Sequence, residues 1–454
     1  MSEKLVSLGL DVGTTSTQMV LSELIIENLA GSFSVPEMEI QERKILYKSP
    51  VYFTPLIQGE LVDGDKIREI VDKEYEKAGI SKGDVDTGAI IITGETSRKE
   101  NARSVLEALS QYAGEFVVAT AGPDLESALA ARGSGAVAYS EKTGKRVLHM
   151  DIGGGTSNLA LVEDGKILQT GCLNVGGRLV KVDEGGTITY LSPVARQLSG
   201  LQEGQRAEVS QLEELAEKLV QGLEMAAGLR EISPLWEKLV TRESTETQPI
   251  LPGAVISFSG GVADCIEKDH PPFAFGDMGP ILGKAIRNSR LCSGEYMLAE
   301  NTIRATVIGA GCHSATLSGS TVFYRDVALP VKNLPVAVLD EASQLNPDAI
   351  TRAMQGHDTQ QVVLAMPGME SPGYGDIQHL AQAIAQGTAG KPVFVCLQAD
   401  MAKALGQRLA LLLPGIPCLC IDRVALEAGS FLDIGQPVGP ALPVVVKTLV
   451  LFGN

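Results

Sequence analysis

The chain has 454 residues, of which 44% are hydrophobic and 20% charged, and its formal net charge is -17. A chain of this length builds roughly two to four domains with sizeable cores. The acidic balance excludes a basic nucleic-acid footprint, and no run of about 20 apolar residues is present to span a membrane as a helix. Glu3 and Asp11 interrupt the start, so no signal peptide is expected and the chain reads as cytoplasmic. Cysteines number 7, without paired spacing and mostly in apolar company, which predicts reduced thiols and no disulfide framework. Cys418-Leu419-Cys420 has the spacing of a metal or redox pair, but the core of a strand is the stronger reading.

Taken in order, Leu5–Leu21 reads as a hairpin: an apolar strand ending in Asp11, then Val12, Gly13, Thr14 and Thr15, then a second apolar run. Residues 22 to 64 read as strands and loops. Ile67, Ile70, Val71 and Tyr75 share one helical face, with Gly79 as the C-terminal stop. Ala89–Ile92 is a short buried strand running into Thr93–Arg98, and a helix is expected over Asn101–Tyr112. Phe116–Ala119 is another strand. Pro123 then opens a helix over 123–132 that carries Asp124 and Glu126. Gly133–Gly135 and Glu141–Lys145 read as a domain crossing.

The next stretch, His149–Glu163, repeats the opening pattern. An apolar strand ends in Asp151; Gly153, Gly154, Gly155 and Thr156 follow; an apolar run resumes and stops at a tight Asp164-Gly165 turn. Glycines permit positive φ and close backbone approach, and successive N–H groups in such a turn make an anion-binding concavity. A carboxylate beside it is placed to hold Mg²⁺ through water. One copy is equally consistent with a plain Gly-rich hairpin. Two copies imply two similar halves facing one nucleotide across a cleft.

Further on, Ser210 and Glu213 have capping-box spacing before a long amphipathic helix. Val255–Phe258 is a strand entering Gly260-Gly261 and then a helix, where a ribose or base can lie against bare backbone. Residues 301–318 carry Gly309, Ala310, Gly311 and Ala315, the small residues of a tightly packed helix. Gly309-x-Gly311 lies inside that helical pattern and is no dinucleotide fingerprint, and no P-loop motif exists. From about 321, strands at Val362–Met366 and Val393–Leu397 alternate with helices near 377–386 and 400–412, which predicts a further α/β unit. Met366–Gly375 is a loop, and Val444–Leu451 a final strand.

These pieces together resemble the ATPase superfamily of actin, the heat-shock chaperones and the sugar kinases. Leu8–Thr17 and Met150–Leu159 match its two phosphate motifs, Val255–Val262 its adenosine motif, and 121–138 and 301–316 its connecting helices. Thr93–Asn101, Asn301–Ser318 and Pro443–Phe452 are similar to the ethanolamine ammonia-lyase reactivating factors. The resemblance implies an α/β fold: actin-like (ribonuclease H-like) duplicated ATPase domains with an interdomain nucleotide cleft, plus a C-terminal α/β extension. Its expected divisions are 1–142 (completed by about 305–320), 143–304, and 321–454, the last a candidate for client binding. It implies ATP and Mg²⁺ as cofactors and ethanolamine ammonia-lyase as client protein. Nucleic acid and membrane are not expected as partners. A homodimer and association with a bacterial microcompartment are compatible with the family.

By the same resemblance, Asp11 and Asp151 would position hydrated Mg²⁺. Backbone N–H groups of Gly13, Thr14, Gly153, Gly154 and Gly155 would hold phosphates, helped by the hydroxyls of Thr14, Thr15 and Thr156. Gly260 and Gly261 would flank the nucleoside. Glu126 or Asp124 would orient the attacking water, with Glu126 favoured. Two other readings stay open: a small-molecule kinase of the same fold, and a filament-forming actin relative.

Overall fold

The computed structural model describes residues 3–13, 16–28, 38–57, 61–92, 117–120, 123–241, 249–250, 253–313, 315–319, 321–355, 359, 361–426, 430–437 and 441–448. Two of its sheets share one topology. In the first, Glu3–Val12, Ser16–Asn28 and Met38–Lys48 form an antiparallel meander, and Thr87–Ile92 and Val117–Thr120 add in parallel on the other side of Glu3–Val12. In the second, Val147–Ile152, Ser157–Glu163 and Lys166–Leu173 form the meander, and Val255–Ser259 and Tyr296–Leu298 add in parallel. Apart from the two-residue strand Tyr52–Phe53, which pairs with Ser16–Thr17 at the side of the first sheet, strands numbered along the chain run 3-2-1-4-5 in both. This repeated order, with the same mix of parallel and antiparallel pairs, makes the fold a duplicated actin-like one.

The third sheet has eight strands. Its centre is four parallel strands, Val331–Val338, Val363–Met366, Val393–Leu397 and Cys418–Asp422, bordered by antiparallel ones. Helices Pro347–Gln355, Tyr374–Thr388 and Ala402–Leu412 supply Ile350, Leu380, Ile384, Leu405 and Leu409 to the core on one face. Such near-continuous apolar strands are what a parallel sheet needs, because both of its faces are covered. Cys418 and Cys420 are buried within this sheet, and every described cysteine is a free thiol.

Local chemistry explains several element ends. The Gly64–Ala78 helix starts at Asp63, whose side chain accepts from Lys66 N–H, and stops at Gly79 in the left-handed region with φ 67°. Asp164 and Gly165 both have positive φ, 48° and 74°, the signature of the tight hairpin turn. Other ends depart from expectation. The Val209–Ala226 helix has Glu208 at its N-cap without a side-chain cap bond, so Ser210 and Glu213 lie within the helix and not at a capping box. The small-residue helix is shorter than 301–318: it spans Ala305–His313, and Ala315–Leu317 is already a strand of the third sheet. A short helix, Ala136–Thr143, lies between Gly133–Gly135 and Glu141–Lys145, the two stretches that read as a domain crossing, and takes in the start of the second.

The Ala305–His313 helix joins the two halves. On one side it meets the first strand at Gly9, where an added Cβ would stand 2.8 Å from Gly311 N. On the other it meets the Pro123–Gly133 helix, where a Cβ on Gly133 would run into the Ala305 carbonyl and one on Gly309 into the Leu129 carbonyl. All of these obstacles are backbone, which cannot turn aside as a side chain can. Gly309→Ala is therefore expected to cost about 3 kcal/mol of stability, measured as a lowered denaturant midpoint. Gly294→Ala, where a Cβ meets nothing within 4 Å, should leave the midpoint unchanged.

Candidate functional site

Asp11 and Asp151 occupy the same place in the two sheets: each is the penultimate residue of its first strand. Each has an amide opposite it on the neighbouring strand, Gln18 across from Asp11 and Asn158 across from Asp151. The turns that follow close identically. Gly13 N–H donates to Ser16 O, and Gly153 N–H to Thr156 O, both at 2.9 Å. Those two N–H groups are thus spent on the hairpins themselves. Gly13 and Gly153 shape the turns, and the exposed donor surface of the second turn falls to Gly154 and Gly155. None of Gly153, Gly154 and Gly155 has positive φ, so conformational freedom is not what these positions use. The tight position is the neighbouring Gly176, where a Cβ would collide with the Gly154 carbonyl; on the turn itself a Cβ would press on the Arg178 side chain at Gly154 and meet nothing within 4 Å at Gly155. Thr14, Thr15 and Thr93–Asn101 lie outside the described residues.

The Asp151 carboxylate is firmly held. Ser259 Oγ donates to Oδ1 at 2.5 Å and Thr306 Oγ1 to Oδ2 at 3.2 Å. Burial pushes its pKa up, and these two hydrogen bonds pull the other way. Ser259 in turn is 2.9 Å from His149 Nε2, while His149 Nδ1 faces Ser257 Oγ at 3.1 Å and Ser134 Oγ at 3.3 Å. With the Ser259 proton on Asp151, His149 carries its own on Nε2. This buried chain of hydroxyls and imidazole had no sequence signal, because His149 looks like one more residue of an apolar strand.

Gly260 has φ 87°, and a Cβ there would strike the backbone of Ile152, so the Gly260-Gly261 loop lies directly behind the Gly153 turn. Gly260 N–H donates to Thr302 O at 2.9 Å, whereas Gly261 opens to empty space. Segment 301–306 then reaches both halves: Gln18 Nε2 donates to Ile303 O at 3.1 Å, and Thr306 holds Asp151. Gln18, the cross-strand partner of Asp11, and Asp151 are therefore bonded to neighbouring residues of one segment. Two buried amide oxygens beside them, Gln18 Oε1 and Asn158 Oδ1, accept no hydrogen bond among the described residues.

Glu126 and Asp124 differ in reach. Glu126 is buried and accepts from Asn158 Nδ2 at 2.8 Å, next to Asp151. Asp124 accepts from Thr170 Oγ1 at 2.7 Å, and Thr170 pairs with Ala160, farther from the turn. Sequence reasoning also missed Gly176-Gly177-Arg178, which lies along the second turn. Gly177 N–H donates to Gly153 O at 3.0 Å and Arg178 N–H to Gly154 O at 2.7 Å. A further Gly-Gly pair soon after the second hairpin was the available signal. Among the described residues, no cluster of three or more His, Cys, Asp or Glu is set to bind a metal directly, and no helix is long and apolar enough to cross a membrane.

The fold and the paired carboxylate hairpins define a two-lobed protein of the actin-like class. Residues 3–452 match the family model described as EutA, ethanolamine utilisation protein EutA, and the chain belongs to that family. It is 39% identical over 466 residues to ethanolamine ammonia-lyase reactivase EutA of Salmonella typhimurium (strain LT2), covering 99% of each chain. It is 38% identical over 478 residues to the reactivase of the same name from Escherichia coli (strain K12), again covering 99% of each. Among solved structures, an Aquifex aeolicus member of the Ppx/GppA family is similar at 16% identity and a TM-score of 0.36, over 68% of this chain and 87% of that one. Ethanolamine utilization protein EutJ from Carboxydothermus hydrogenoformans is similar at 16% identity and a TM-score of 0.33, over 67% and 88%.

Burial lowers the His149 pKa from 6.5 to about 3. The unfolded chain takes up a proton near pH 6.5 that the folded one refuses until about pH 3, so acid favours unfolding through that window. The stability lost is about 2 kcal/mol by pH 5. His149→Gln should show a correspondingly smaller loss between pH 7 and pH 5 in urea unfolding curves.

Proposed function

We propose that the chain is an ATP- and Mg²⁺-dependent reactivating factor for ethanolamine ammonia-lyase. It would release damaged cobalamin from the inactivated lyase so that adenosylcobalamin can enter again. The observation that carries this reading is similarity along 99% of both chains to two relatives named as reactivases of that enzyme. The nucleotide half of the proposal is supported by the repeated Asp hairpins converging on segment 301–306.

In this reading Asp11 and Asp151 position a hydrated Mg²⁺. The unpartnered oxygens of Gln18 and Asn158 suit it, because metal-bound waters are strong donors that need acceptors. Gly154 and Gly155 N–H groups and the hydroxyls of Thr14, Thr15 and Thr156 face the phosphates, and Gly260-Gly261 the nucleoside. Glu126, beside Asp151, is the better placed of the two carboxylates to orient a water. Phosphoryl transfer depends mainly on charge neutralisation and positioning. A switch needs only different conformations with ATP and ADP, so slow hydrolysis suffices. Client recognition belongs to residues 321–454 in this proposal. Cross-links from the full chain to the lyase should concentrate there; cross-links confined to 1–304 would overturn that assignment.

The decisive experiment adds the protein, with ATP and without, to ethanolamine ammonia-lyase blocked by cyanocobalamin. Recovered activity is expected only with ATP and Mg²⁺. Asp11→Asn and Asp151→Asn should each abolish recovery while leaving the thermal melt intact. Full recovery in both variants would remove the site assignment, and no recovery with the native chain would remove the function.

A further inference from the structure

A cation lies against the second turn. Arg178 is tied to the turn by its own N–H, which donates to Gly154 O at 2.7 Å. Its stem covers Gly154, where a Cβ would stand 3.2 Å from Arg178 Cδ. Nε donates to Asp277 Oδ2 at 3.1 Å, which fixes one edge of the guanidinium. Asp277 is buried, and its other oxygen accepts from Gly279 N–H at 2.8 Å, so this anchor is itself immobile. Among the described residues the two terminal nitrogens of Arg178 have no partner, and the side chain is 28% exposed.

This arrangement leaves a pre-oriented fork pointing outward beside a glycine turn. A guanidinium fork matches two phosphate oxygens. Carboxylates already stand on the same hairpin: Asp151 lies three residues before Gly154, and Glu126 accepts from Asn158, the cross-strand partner of Asp151. A polyphosphate entering there needs positive charge beyond one metal ion. Position along the turn also matters. Gly260 packs on Ile152, at the start of the turn, whereas Arg178 packs on Gly154, two residues farther on. A nucleotide with its nucleoside at Gly260-Gly261 extends its phosphates toward Arg178.

We propose that Arg178 binds the terminal phosphate of a nucleoside triphosphate, with Asp277 as a positioning residue that holds the fork. The proposal rests on the nucleotide reading above and adds the residue that tells a triphosphate from a diphosphate. A purely structural ion pair would affect both nucleotides alike.

The test is equilibrium titration of the full chain with fluorescent ATP and ADP analogues in Mg²⁺, alongside thermal melts. Arg178→Gln should weaken ATP at least tenfold and ADP less than threefold. Arg178→Lys should restore part of the ATP affinity, and Asp277→Asn should give a smaller, ATP-selective loss. A native ATP-to-ADP ratio in a folded Arg178→Gln variant would overturn the proposal. Should that variant fail to fold, the ratio in Arg178→Lys decides: selective ATP loss supports the proposal and an unchanged ratio refutes it. A native chain that binds neither nucleotide would refute the nucleotide reading itself, a result distinct from any change in ratio.

Discussion

One backbone-to-backbone contact governs the rest of the molecule: the Ala305–His313 helix pressed between Gly9 on one side and Gly133 and Leu129 on the other. Interiors pack near crystal density, so a gap or an overlap of one methyl group is felt across such a contact. The same segment that fills this seam also carries Ile303, bonded to Gln18, and Thr306, bonded to Asp151. Core packing and site geometry therefore share one element. A small shift of this helix would change the relation between the two carboxylates, and packed seams of this kind move between discrete arrangements and do not deform smoothly.

Electrostatics around the cleft follow from burying acids in an acidic protein. Asp151 is tolerated because two hydroxyls donate to it, and one of those hydroxyls is itself held by His149. Glu126 is tolerated because Asn158 donates to it. The amides therefore have one end committed and the other open, which creates acceptor oxygens beside the two aspartates. Arg178 lies along the same glycine turn, with Asp277 fixing its orientation.

Much of this was legible beforehand, for reasons that can be named. Asp11 and Asp151 were visible because a strand, an acid and a glycine turn recur with one spacing, and repetition is a stronger signal than either copy. The Gly64–Ala78 helix was visible through its apolar face and Gly79. Of the two reasons for reading glycines in the second turn, positive φ does not hold there, and the residue that cannot carry a Cβ is the neighbouring Gly176. Ser210-x-x-Glu213 looked like a cap because spacing alone cannot say where a helix begins, and this one starts before it, at Val209. The 301–318 helix was drawn too long because Ala315–Leu317 is recruited by a strand from the chain's end, Pro443–Thr448, which local propensity cannot anticipate.

From residues alone came the duplicated hairpins, the apolar periodicities, the acidic balance and the α/β alternation after 321, because each is a local pattern that any short window contains. Only the folded chain brought Ser259 and Thr306 to Asp151, Asn158 to Glu126, and Arg178 with Asp277 to Gly154. Those partners lie between 24 and 155 residues apart along the chain. Contacts at such separations are decided by how sheets and helices pack, and packing depends on the whole set of side chains at once.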